Sequence, residues 1–149
     1  MLEIDHIAAA VEELAPAIAG MEAAGAEHVW TMESEEWQYE TAYMLGGDDM
    51  FTLITPTSDD SFMADYLADN GPGLHHIGVN VDDLESTVET VIAEGGEVIM
   101  EADIPETRKE ATLHPGSWFG LQVQFIEWHD SVGPAARDHI EAMREAKGE

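Results

Sequence analysis

The chain has 149 residues, 44% of them apolar and 25% charged, and it contains no cysteine. That is enough apolar material for one compact domain, and it excludes collagen-like, disulfide-scaffold and fully disordered chains. Thirty-two Asp and Glu face only five Lys and Arg, a net charge of -27, which argues against nucleic acid and anionic membranes as partners.

The acidic excess runs along the whole chain instead of forming one block. This is the pattern of a solvated halophilic surface in a salt-rich cytoplasm, where the screening length falls to roughly 3 Å in molar salt. Met1 leads directly into Leu2-Glu3-Ile4-Asp5-His6 with no basic leader. No apolar run approaches the roughly 20 residues of a membrane span, so a cytoplasmic protein is expected. Without thiols, metal chemistry falls to His, carboxylate and amide groups.

In chain order, Ile4 to Val11 is β-rich and leads through acidic residues into a helical pattern that tolerates Pro16 only near its start. Gly25 ends that helix and a short strand follows at Glu27 to Thr31. Gln38 to Leu45, the turn Gly46-Gly47-Asp48-Asp49 and Met50 to Thr55 read as a β-hairpin. Pro56 to Asp60 is a linker, Ser61 to Asn70 a short helix, and Gly71-Pro72-Gly73 breaks it.

The pattern then recurs. Leu74 to Val81 is a strand, and Leu84, Val88, Val91 and Ile92 form a helical stripe. Gly95-Gly96 stops it, and strands follow at Glu97 to Glu101, Glu110 to Leu113 and Leu121 to Trp128. After Gly133-Pro134 a final helix places Ala136, Ile140 and Met143 on one face, with Arg137 and Glu141 paired one turn apart, as in a solvated docking helix.

The recurrence is a true internal repeat. At an offset of 70, Ile4-Asp5-His6-Ile7 meets Leu74-His75-His76-Ile77, and Val11, Leu14 and Gly25 meet Val81, Leu84 and Gly95. At an offset of 72, Phe51 to Thr55 meets Val123 to Glu127. Two copies of one βαβββ unit explain both matches. The expected organisation is a single domain, 1–149, with module one at 1–56, a linker at 57–72, module two at 73–130 and a C-terminal helix at 134–147.

Of the adjacent pair His75-His76, only one can face a given pocket, because successive strand residues point to opposite sides. The repeat selects His76, the counterpart of His6. Two equivalent imidazoles suggest a metal site. The closing strands place Thr52 and Gln124 at equivalent positions, and a Gln carbonyl can complete a neutral His6, His76, Gln124 ligand set. Trp118 and Phe119, in the loop after Pro115-Gly116-Ser117, are suited to capping an apolar pocket. Lys109 and His114 lie on or beside a strand expected to edge that pocket, where Lys109 would meet a substrate carboxylate or phosphate.

The segment from Pro56 to Glu85, with Gly73-Leu74-His75-His76-Ile77-Gly78 and Val81-Asp82-Asp83-Leu84, resembles the vicinal oxygen chelate (glyoxalase/bleomycin resistance/dioxygenase) superfamily, and within it methylmalonyl-CoA epimerase most closely. Asp5-His6-Ile7 and Leu113-His114-Pro115 extend the resemblance over most of the chain. It implies an α+β fold of two tandem βαβββ modules, whose curved, mostly antiparallel sheets surround a cavity, the implied partners being a second copy of the chain in a homodimer and a small-molecule substrate such as an acyl thioester. It also implies a divalent metal (Co, Mn, Ni, Zn or Mg) held by His6 and His76. In the family the other two ligands are a Gln or Glu and a Glu; here those positions hold Thr52 and Gln124.

The implied activity is a metal-dependent isomerase or lyase that moves an α-proton beside a metal-polarised carbonyl. Glu40, with Gln38 and Ala42 on its strand face, lies near the place of the family's first base, while Gln124 cannot exchange a proton and Glu127 is the nearby acid that would have to substitute. A glyoxalase I-like lyase, a ring-cleaving dioxygenase and a metal-free small-molecule binding protein are the alternatives within the same fold.

Overall fold

The computed structural model describes residues 1–149. The elements are β1 (Glu3–Ala10), α1 (Leu14–Ala23), β2 (Glu27–Ser34), β3 (Tyr39–Gly46), β4 (Asp49–Pro56), α2 (Phe62–Asn70), β5 (Gly73–Asn80), α3 (Leu84–Ala93), β6 (Val98–Ile104), β7 (Arg108–Leu113), β8 (Val123–Trp128) and α4 (Ala136–Ala146). Both βαβββ repeats are present, and the chain is α+β as expected. No helix is long and apolar enough to cross a membrane.

The chain forms two compact units. One is Ile7–His75; the other joins Met1–His6 to His76–Glu149, so β1 contributes its first residues to the unit built on the second repeat. The first is called the N-terminal unit here and the second the C-terminal unit.

In the N-terminal unit, β3 is the antiparallel partner of both β2 and β4, with Tyr43 opposite Trp30 on one side and Thr52 on the other. Alternation divides this hairpin sheet into two faces. Ala42, Met44 and Leu53 pack beneath Leu14, Ala17 and Ile18 of α1. Ile54 lies on the opposite face, where it packs with Ala8, Ala10 and Met63 of α2. The Ser61 hydroxyl caps α2 by accepting from the Met63 amide at 3.2 Å.

The C-terminal unit carries the strand order β5-β8-β7-β6. β5 and β8 run parallel, with Gly78 opposite Gln124 and Val79 opposite Phe125, because the chain crosses through α3, β6 and β7 before returning. β7 is antiparallel to both β8 and β6. Val79, Ala111, Leu113 and Phe125 pack under Leu84 and Val91 of α3. The Asp83 side chain caps that helix through the Ser86 amide at 3.0 Å. Ile92, expected in the buried stripe, is 53% exposed; Leu84 and Val91, one face on, suffice to cover the sheet.

Alternation sets the other face of this unit. It presents His76, Gly78 and Asn80 from β5, Gln124, Ile126 and Trp128 from β8, and Thr112, Glu110 and Arg108 from β7. α4 buries Ile140 and Met143, as its spacing predicts, and buries His139 with them.

Candidate functional site

Two imidazoles meet in the C-terminal unit. His6 Nε2 and His76 Nε2 lie 3.1 Å apart, with the rings crossed at 87°. The neighbouring His75 turns away toward Tyr66, with ring centroids 4.5 Å apart, and burial pushes its imidazole below the usual basicity. Strand parity therefore chooses His76, as the repeat predicts.

The orientation of His6 is fixed from behind. Its Nδ1 donates to Asp5 Oδ1 at 2.6 Å. A carboxylate only accepts, so the ring carries its proton on Nδ1 and turns the lone pair of Nε2 toward His76. Asp5 is 6% exposed. Burial by itself would raise its carboxyl, but hydrogen bonds from His139, His6 and Trp128, with the attraction of His6, outweigh this and hold it well below the usual carboxylate range. The site thus has a buried negative charge one imidazole away from His6 Nε2.

Space for the His6 ring comes from a glycine. A Cβ placed on Gly78 would lie 2.3 Å from His6 Cε1 and 2.4 Å from Nδ1, so any side chain there would displace the ring. The ring accordingly lies over the same strand face that Gln124, the register partner of Gly78, presents. Gln124 is buried, and its Oε1 accepts no hydrogen bond. A buried carbonyl oxygen without a donor carries a desolvation cost of about 1–3 kcal/mol, a cost that an electropositive ligand removes.

These residues fit a divalent cation. Two nitrogens bound about 2.1 Å from one cation lie about 3.0 Å apart at right angles and about 3.4 Å apart in a tetrahedron, and 3.1 Å falls between. Among His, Cys, Asp and Glu side chains no three are grouped as a metal site; the buried Gln124 amide, on the strand face over which the His6 ring lies, is a neutral group of the kind that can complete such a set. Such a set is neutral, and Asp5 supplies the nearby charge through His6.

Each of the other expected residues has its own surroundings. Thr52 is buried on the face that Thr41 and Tyr43 share, with Tyr43 stacked on Trp30 at 5.3 Å. Glu40 lies on the opposite face of β3, the one whose Ala42 and Met44 pack under α1, so it does not share a face with Thr52. Lys109 alternates with Arg108 and Glu110 and therefore leaves the Gln124 face; it is exposed, registered with Asp103 and Glu127. His114 caps the turn Pro115–Ser117, its Nδ1 accepting from the Gly116 amide at 3.0 Å. Trp118 packs partly buried against the α3 core instead of capping a pocket. Glu127 Oε2 accepts from the Leu84 amide at the start of α3 at 2.9 Å, on the face away from Gln124.

One buried acid on the Gln124 face escaped the sequence reading. Glu110 is 8% exposed and pairs with Arg108 at 2.6 Å, while the Arg108 guanidinium lies 5.1 Å from the Trp128 ring. The signal available was parity: Thr112 lies opposite Gln124, and Glu110 is two residues away on the same strand.

The Glyoxalase/Bleomycin resistance protein/Dioxygenase superfamily matches residues 5–113, most of the chain. The chain belongs to this superfamily. Its fold is the glyoxalase-like one found in a hypothetical protein from Bacillus halodurans C-125, at TM-score 0.79 and 22% identity over 89% of this chain and 98% of that one. Streptomyces coelicolor methylmalonyl-CoA epimerase in complex with 2-nitronate-propionyl-CoA is similar at TM-score 0.77 and 25% identity, covering 89% of this chain and 98% of that one. The Mycobacterium tuberculosis methylmalonyl-CoA epimerase is similar at 0.73 and 21%, covering 83% and 86%. No curated protein matches the chain.

Proposed function

We propose that this glyoxalase-superfamily protein is a cation-dependent enzyme of the isomerase type, binding one divalent ion through His6, His76 and Gln124 and transferring a proton α to a carbonyl. The carrying observation is the 3.1 Å separation of the two Nε2 atoms, with the Asp5 hydrogen bond aiming one of them. A bound divalent cation supplies Lewis-acid polarisation of a carbonyl oxygen. Likeness to methylmalonyl-CoA epimerases supports an acyl thioester as substrate class. Five Lys and Arg in the whole chain favour a thioester held mainly by its acyl end. A homodimer in a salt-rich cytoplasm belongs to the same reading, supported by the exposed Leu2 and Ile4 and by the net charge of -27.

In this reading the protein's own groups divide the work. Asp5 holds the His6 tautomer, and Gly78 leaves room for the ring. Gln124 binds and orients but cannot exchange a proton. Glu40 is replaced as the base by Glu110, which shares the Gln124 face and is held in place by its ion pair with Arg108.

The test is deuterium incorporation at the α-carbon of small acyl thioesters in heavy water, with protein loaded with cobalt(II) in molar potassium chloride. Exchange is expected, and Glu110→Gln is expected to slow it by about 10² or more, while Glu40→Gln leaves it within a factor of about 3. No exchange with any thioester would overturn the enzymatic reading. One observation favours a second reading, a small-molecule binding protein without catalysis: all three donors are neutral and Thr52 contributes no ligand atom of the usual kind. Tight ligand binding without exchange is its signature.

A further inference from the structure

A second buried imidazole reaches the site from the C-terminal helix. His139 is 6% exposed on α4. Its Nδ1 donates to Asp5 Oδ2 at 2.9 Å, and its ring stacks on Trp128 with centroids 4.1 Å apart and planes 17° apart. Trp128 Nε1 donates to the same Oδ2 at 2.9 Å and is shared with Asn80 Oδ1 at 3.0 Å. One oxygen of Asp5 is thus clamped from β8 and from α4, while the other oxygen holds His6.

A carboxylate is a rigid plane, so fixing one oxygen from two directions fixes the other. The aim of His6 Nε2 then depends on donors that never touch it. We propose that His139 is a positioning residue for His6, which makes the C-terminal helix a working part of the site. The inference rests on His6 being a cation ligand only for its effect on affinity; its effect on His6 itself is independent of any cation.

Two substitutions separate hydrogen bonding from packing. His139→Phe keeps an aromatic ring on Trp128 and removes the donor. His139→Asn offers an amide N–H near the Nδ1 position and removes the stack. The experiment is nitrogen-15 NMR of the imidazoles in cation-free protein, followed by titration calorimetry with cobalt(II). In the wild type both His6 and His139 are expected as Nδ1–H tautomers, each with a strongly downfield proton. His139→Phe is expected to broaden or shift the His6 Nδ1–H signal and to weaken cobalt(II) binding about tenfold, the low end for an outer-shell partner. His139→Asn is expected to restore the His6 signal and to bring affinity back within about threefold of the wild type.

An unchanged His6 signal in His139→Phe overturns the proposal. If that variant does not fold, the wild-type spectrum decides, since a His139 tautomer protonated only on Nε2 cannot donate to Asp5 and overturns it equally. A wild type that takes up no cobalt(II) defeats the cation reading under Proposed function, while the two tautomer signals still decide this one.

Discussion

The two repeats share a plan and differ in what they do with it. In the C-terminal unit the sheet face away from α3 collects His6, His76, Gln124, Glu110 and Arg108, with Asp5 behind the first of these. In the N-terminal unit the face away from α1 carries Thr41, Tyr43 and Thr52, with Tyr43 stacked on Trp30 and Trp30 Nε1 buried without an acceptor. At the position where one copy has Gly78, the other has Ala8, fully buried. The two faces carry different chemistry: imidazole, amide and an ion pair on one, threonine hydroxyls and stacked aromatics on the other. Even His6, encoded in the first repeat, belongs structurally to the unit of the second.

The largest effect that would sharpen this contrast is at Asp5. Asp5→Asn removes the charge that serves three buried donors, His6 Nδ1, His139 Nδ1 and Trp128 Nε1, and sets an amide N–H against at least one of them. It is expected to cost about 3 kcal/mol or more of unfolding free energy, measured by denaturant titration in molar salt. The same variant tests linkage: the folded-state carboxyl titrates below its unfolded value, so its stabilisation is present above about pH 4 and fades as the pH falls further. That acid-limb loss is expected to shrink in Asp5→Asn, and an identical acid limb would contradict the assigned network.

Next in size is Gly78→Ala. The new methyl would collide with the His6 ring, and cation affinity is expected to fall by about tenfold or more. The matching change in the other copy, Ala8→Gly, is expected to cost only about 1 kcal/mol of stability and to leave cation affinity unchanged. Equal effects from the two substitutions, read by calorimetry and by melting, would erase the asymmetry. Smaller still is the contrast between Gln124→Ala, expected to weaken cation binding several-fold, and Thr52→Val, expected to leave it within a factor of about 2. A larger loss from the Thr52 change would move the chemistry into the N-terminal unit.

Much of this was legible in the sequence. The offset of 70 pairs His6 with His76, and strand alternation separates His76 from His75. Gln124 followed from its place in the second alignment. The limit on the strands is physical: period-two alternation says which residues share a face, but not which face a helix covers. Glu40 and Ala42 share a strand face as expected, whereas Gln38 lies in the turn before β3 at φ +55; Ala42 packs under α1, and nothing in a strand reading Tyr39-Glu40-Thr41-Ala42-Tyr43-Met44 marks one side as apolar. Arg108-Lys109 carries the same ambiguity: the sequence points to Lys109, and Arg108 is the neighbour that shares the Gln124 face. Asp5 and His139 are distant in sequence, and only docking of α4 brings them within 2.9 Å. The His114 cap and the Trp118 packing depend likewise on local turn geometry and on α3.

The central claim is that His6 and His76 hold one cation together, and stoichiometry tests it most directly. Untagged protein, loaded with cobalt(II) in molar potassium chloride and freed of excess by gel filtration, is analysed for bound metal beside His6→Ala and His76→Ala. The account predicts about one ion per chain in the parent and nearly none in either variant. A parent that retains no metal, or a His76→Ala protein that retains all of it, would contradict the account.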